Sequence, residues 1–121
     1  MASTKVVTVL DSNVTLTAGA GDHTSSVATL TTGYGGELHI KHTNGATGPT
    51  LASQSQVWAS ADNSNWYKFG GALIAQLGNN AITSWSIPIP IGVGYLEVIS
   101  GSNTGQNVTL RAEIMQVTAI S

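Results

Sequence analysis

The chain has 121 residues, 41% of them apolar and only 8% charged, and its formal net charge is −2. An average soluble domain is roughly 25% charged, and four basic residues (Lys5, Lys41, Lys68 and Arg111) cannot supply the footprint that a phosphate backbone demands. The absence of cysteine excludes disulfides, thiolate metal sites and cysteine nucleophiles.

Ser, Thr and Gly take the place of charge, with thirteen Ser, fifteen Thr and fourteen Gly. Disordered chains combine low hydrophobicity with high net charge, and neither holds here. The length suits one domain, residues 1–121, able to bury a core without staples. The start, Met1 to Val7, lacks the apolar block of a signal peptide. No segment approaches the ~18 apolar residues of a membrane span. The expectation is synthesis in the cytoplasm, with no membrane partner and no nucleic-acid partner.

The dominant period is two, the strand signal. Strands are expected at 4–9, 13–17, 25–32, 37–43, 52–61, 66–70, 83–89, 95–99 and 108–115. The clearest are Leu38, Ile40 and His42 alternating with Glu37, His39 and Lys41, and Val108, Leu110, Ala112 and Ile114 alternating with Thr109, Arg111 and Glu113. Each places an apolar row on one face, as in a half-buried antiparallel sheet. Residues 70–77 could form one helical turn, although the window is short and opens on two glycines. Pro88 and Pro90 mark an edge strand or an exit from the sheet, since proline cannot donate to a ladder.

Eight or nine short strands separated by Gly- and Asn-rich turns argue for an all-β antiparallel sandwich, jelly-roll-like in topology. If consecutive strands reverse, the loops at 18–24, 44–50, 71–82 and 101–106 share one end. The tight connections at 33–36, 62–65 and 90–93 then share the other. The candidate contact residues fall on the first rim: Gly21, Asp22, His23, Asn44, Gly45, Asn79, Asn80 and Asn103.

Motifs for catalysis do not assemble. There is no Gly-x-Ser-x-Gly elbow, no phosphate-cradling loop and no dinucleotide fingerprint. His39 and His42 are three apart on a strand and face opposite ways, so they make a poor metal pair. The expectation is no enzyme, no cofactor and no metal, with surface histidines and one half-buried, hydrogen-bonded His42. Asn13-Val14-Thr15 and Asn107-Val108-Thr109 match the glycosylation acceptor pattern and read as polar residues flanking strands. Trp58, Trp66, Tyr67 and Phe69 surround the turn Asp62-Asn63-Ser64-Asn65. They read either as a stacking platform for sugar rings or, in preference, as apolar payload for the core or a subunit contact. Trp85 falls in line with Ile87 and Ile89, which points to burial.

The run Ser60-x-Asp62-x-Ser64-x-Trp66 resembles the Ser-x-Asp-Gly-x-x-Trp hairpin of several β-sandwich modules, discoidin-type carbohydrate-binding domains among them, with Asn63 at the glycine position. Together with Gly36–Gly45 and Gly101–Glu113, it makes the chain look like the small structural proteins of tailed bacteriophages. Those are charge-poor sandwiches that decorate or cement the head shell. The resemblance implies a non-enzymatic virion protein on the capsid surface, whose partners are the major capsid protein and sibling copies. The alternatives are a carbohydrate-binding module or a tail or baseplate adhesion protein, using Trp58, Trp66, Tyr67 or Trp85. Head and tail roles both stay open at this point.

Overall fold

A computed structural model describes residues 3–31 and 33–120. Ten strand segments run β1 (Ser3–Leu16), β2 (His23–Thr24), β3 (Ala28–Thr29), β4 (Gly36–Asn44), β5 (Gln54–Ser60), β6 (Tyr67–Lys68), β7 (Leu73–Ile74), β8 (Ile82–Ile89), β9 (Tyr95–Gly101) and β10 (Val108–Ile120). One sheet has the order β1-β10-β4-β8. In the other, β9 pairs with β2, β3 and β5, and β5 also pairs with β6 and β7. All pairings are antiparallel. Ten segments therefore fill eight positions, because β2 with β3 and β6 with β7 are each one interrupted edge. Every connection but the β5–β6 hairpin crosses between the two sheets, which makes the sandwich a jelly roll.

The interruptions have local causes. Between β2 and β3, Ser25 turns its hydroxyl into the ladder: Val98 N donates to Ser25 Oγ at 2.9 Å while Ser25 N donates to Val98 O. Between β6 and β7, the pair Gly70-Gly71 lifts the chain away, with Gly70 at φ 76°. The stretch 70–77 thus holds an extended pair, Leu73–Ile74, in place of a helical turn. The expected strands at 4–9 and 13–17 are one bent strand. Its register against β10 slips between Val9 and Val14, and Asn13 sits at φ 53° in that bulge. Of the expected strand at 25–32, the described residues keep only β3, and β2 lies just ahead of that range. Pro88 lies in β8, the outer strand of its sheet, as proline requires.

The core is one contiguous cluster between the sheets, with Leu38, Ile40, Leu96, Val98, Leu110 and Ile114 fully buried. Phe69 and Trp85 pack against it from its margins. No helix among the described residues is long and apolar enough to cross a membrane.

Candidate functional site

At one end the four loops are joined in a row by hydrogen bonds. The loop after β1 meets the loop after β9 through Gly19 N donating to Asn103 O (3.0 Å) and Ala18 N donating to Asn107 Oδ1 (2.9 Å). That second loop meets the loop after β4 through Thr50 N to Thr104 O and Thr104 N to Leu51 O. The loop after β4 in turn meets the loop before β8 through Gly48 N to Asn79 Oδ1 (2.8 Å) and Asn80 N to Gly45 O (2.8 Å). Gly48 has to be glycine, because a Cβ there would run into the Leu77 carbonyl. The rim is thus long in sequence and closely tied in space.

The candidate rim residues divide. Gly21, Asp22, Gly45, Asn79 and Asn80 are exposed on it. Asn44 and Asn103 are buried and serve the stitching, which removes them from a contact surface. The Asn44 amide donates to Gln76 O and Gly78 O, and the Asn103 amide donates to Leu16 O and Gln106 O, all at 2.9 Å. His23 lies on β2 and turns away from Asp22 to bond the buried Asp11 carboxylate at 2.6 Å. Sequence reading missed what the rim shows to solvent. Leu51, Leu77 and Ile82 are each more than half exposed there. Of residues 17–22, 45–53, 75–81 and 102–107, only Asp22 is charged.

The outer face of the β9–β5–β6 sheet forms a groove of about 280 Å³, lined by Gln54, Gln56, Trp58, Lys68, Asp22 and Ile99 among others. The register sets Glu97, Trp58 and Lys68 in one cross-strand row. The Lys68 ammonium lies 5.9 Å from the Trp58 ring centroid, within cation–π range. Trp58 is therefore a surface ring rather than core payload. Alternation could not reveal this, because the inward positions of the same strand, Ser53 and Ser55, are as polar as the outward Gln54 and Gln56. Tyr67 is largely exposed, Trp66 is half-buried beside its turn, and Phe69 joins the core margin as the packing reading requires.

The turn itself is a structural device. Asp62 Oδ1 accepts from Ser64 N (2.9 Å) and Asn65 N (2.8 Å), and Oδ2 accepts from the Asn65 amide (2.7 Å). These donors, the Asn65 backbone first, hold the Asp62 carboxyl well below the usual carboxylate range. Ser60 Oγ accepts from Asn63 N at 2.9 Å, and Asn63 takes φ 60°, the conformation for which glycine is the usual choice.

His42 is not half-buried but fully enclosed. Its Nδ1 is 2.7 Å from Ser53 Oγ and its Nε2 2.7 Å from Ser55 Oγ, and Ser55 Oγ is 2.7 Å from Ser100 Oγ. Trp85 meets its ring edge-on at 5.2 Å. Burial pushes the His42 pKa down to about 4, so the ring is neutral at neutral pH. With no path to solvent, this network joins the two sheets and does not face a substrate. Elsewhere Glu37 and His39 share the outer face at 2.7 Å, and Arg111 and Glu113 meet at 3.3 Å. No group of three or more metal-ligating side chains converges among the described residues.

Fold and rim together define a jelly-roll sandwich with a tied, nearly uncharged loop end. No protein-family model matches the chain, and no curated protein matches it in sequence. Solved structures do match in shape. The VP2 subviral particle of infectious bursal disease virus aligns over 95% of this chain at 9% identity and TM-score 0.59, although this chain spans only 33% of VP2. The K3 adhesin domain of Lys-gingipain from Porphyromonas gingivalis aligns over 92% of this chain and 72% of its own, at 14% identity and TM-score 0.55. The SPBc2 prophage-derived protein YomS aligns over 95% of this chain and 96% of its own, at 14% identity and TM-score 0.53. At these identities the likeness is one of fold.

Proposed function

We propose that this chain is a non-enzymatic virion structural protein that sits on a phage capsid, docking on the major capsid protein through the loop rim. The observation that carries the reading is the rim's chemistry: four loops locked together, presenting Leu51, Leu77 and Ile82 among uncharged polar residues with Asp22 as the lone charge. Docking such a surface buries apolar area without the desolvation cost of charged groups. Its hydrogen-bonded frame is already ordered, which reduces the entropy lost on binding. Many copies on a shell add avidity to a modest single contact. Kinship of shape with a viral capsid protein and with a prophage protein of similar length supports the reading.

The test is co-sedimentation of the purified protein with bare capsids. Wild type pellets with the shells and raises their melting temperature. Leu77→Asp, an exposed change that leaves the fold intact, abolishes both effects. Failure of the wild type to bind or stabilise the shells overturns the proposal.

One observation favours a second reading, saccharide binding in the groove at Trp58, where an aromatic face stands beside Gln54 and Gln56. Under that reading sugars shift the tryptophan fluorescence and Trp58→Ala removes the shift. Fluorescence unmoved by a panel of sugars rules it out.

A further inference from the structure

The sandwich has four open edges, and three are blunted. The β8 edge carries Pro88 and leaves the sheet at Pro90. The β2/β3 and β6/β7 edges are broken into two-residue pairs. These are the usual defences against edge-to-edge pairing. The fourth edge, the first half of β1, has none of them. Lys5-Val6-Val7-Thr8-Val9 contains no proline, glycine or bulge, and β10 is its one ladder partner among the described residues. Every residue from Thr4 to Val9 is exposed, where alternation against a second sheet would bury every other one. The segment projects at the end of the sandwich opposite the loop rim.

We propose that this edge pairs with the same edge of a second copy, antiparallel about a two-fold axis through Val7, to make one continuous eight-stranded sheet. Three features point to a second copy and to that register. The regular stretch lies between register slips at Thr4/Lys5 and Val9/Asp11, so Val7 is its midpoint and a two-fold there uses all of it. An axis perpendicular to the sheet must pass through a residue, because paired side chains share a face. With Val7 opposite Val7, Val6 meets Thr8 and Lys5 meets Val9, which pairs β-branched residues and sets no like charges together. Finally, Val9 is the cross-strand neighbour of Glu113 on the outer face. The lysine stem of one copy then lies across the other copy's Val9, with its ammonium directed at Glu113, a carboxylate 30% exposed that Arg111 of its own chain also meets at 3.3 Å. Registers centred on Val6 or Thr8 lose this pairing or run into the bulge.

Five residues a side bury less than the ~800 Å² per partner of a standard interface, so the dimer is weak and depends on concentration. Sedimentation equilibrium of the isolated protein tests it without any capsid, and therefore independently of the docking proposal. The expected result is a mass of 12.4 kDa when dilute, rising toward twice that as concentration approaches about 1 mM. Val7→Lys, which sets two ammonium groups on the axis, remains monomeric at every concentration. Glu113→Gln weakens association several-fold and removes its salt dependence. Hydrogen exchange at the amides of residues 5–9 slows as the dimer fills. A monomer throughout overturns the proposal, and so does a dimer that survives Val7→Lys or protects a different edge.

Discussion

The two halves of the interior are built differently. Toward the loop rim, the inward positions of four strands become polar: Leu38, Ile40, His42, Asn44 along β4; Leu96, Val98, Ser100 along β9; Val57, Ser55 backward along β5; Ile89, Ile87, Trp85, Thr83 backward along β8. The rim half is thus held by directional hydrogen bonds, and the opposite half by close packing of Leu and Ile. The rim has the longer loops, and each is tied to a neighbouring loop by hydrogen bonds that specify an angle as well as a distance.

The contrast is broken first by attacking the apolar half. Leu96→Ala removes a fully buried side chain far from the histidine network, and the expected loss is about 3–4 kcal/mol. Urea melts at pH 7 and at pH 5 should give the same increment. An increment that changes with pH would show that the two halves are coupled.

The next effect belongs to the polar half. Unfolded, His42 protonates near its ordinary 6.5, and folded only near 4. Between those values the unfolded chain binds more protons, so stability falls as pH drops through this window. The full gap corresponds to about 3 kcal/mol. Melts from pH 7 to pH 4 should show the loss, and His42→Leu should flatten the profile. A slope retained in that variant would assign the acid sensitivity to other groups.

The smallest effect comes from Ser55→Ala. It breaks the chain of hydroxyls between His42 and Ser100 and leaves one nitrogen of a buried ring unpartnered, at a cost of about 1–2 kcal/mol. Ser53→Ala should cost a similar amount, and the double variant less than the sum, since both bond the same imidazole. Strict additivity would deny that the ring and its two hydroxyls act as a unit.

Most strand positions and both loop ends were legible because alternation and turn residues act locally. Leu38 and Ile40 could hardly face anywhere but inward, and Pro88 could hardly sit in a central strand. The histidine network was illegible because the inward Ser53 and Ser55 are as polar as the outward Gln54 and Gln56, and only the opposite sheet decides which hydroxyls meet a histidine. Asn44 and Asn103 looked like loop contacts for the same reason. A short amide beside glycines serves a partner or its own chain equally well, and three of the four accepting carbonyls come from 32 to 87 residues away. Trp58 faces outward because its neighbour Val57 takes the inward position, a parity that the polar run Ser53 to Gln56 leaves unmarked in the sequence.

The position of β10 has a consequence for synthesis. It lies between β1 and β4, so the strand that joins its sheet is the last of the described strands to be made. Until it arrives, Val6, Val7 and Val9 emerge early with no ladder partner, and Thr4 waits for a segment more than a hundred residues downstream. Closing so long a loop is slow. Nascent chains crowded on one message therefore carry a bare valine strand until β10 is made, and such unpaired edges are where neighbouring chains pair wrongly.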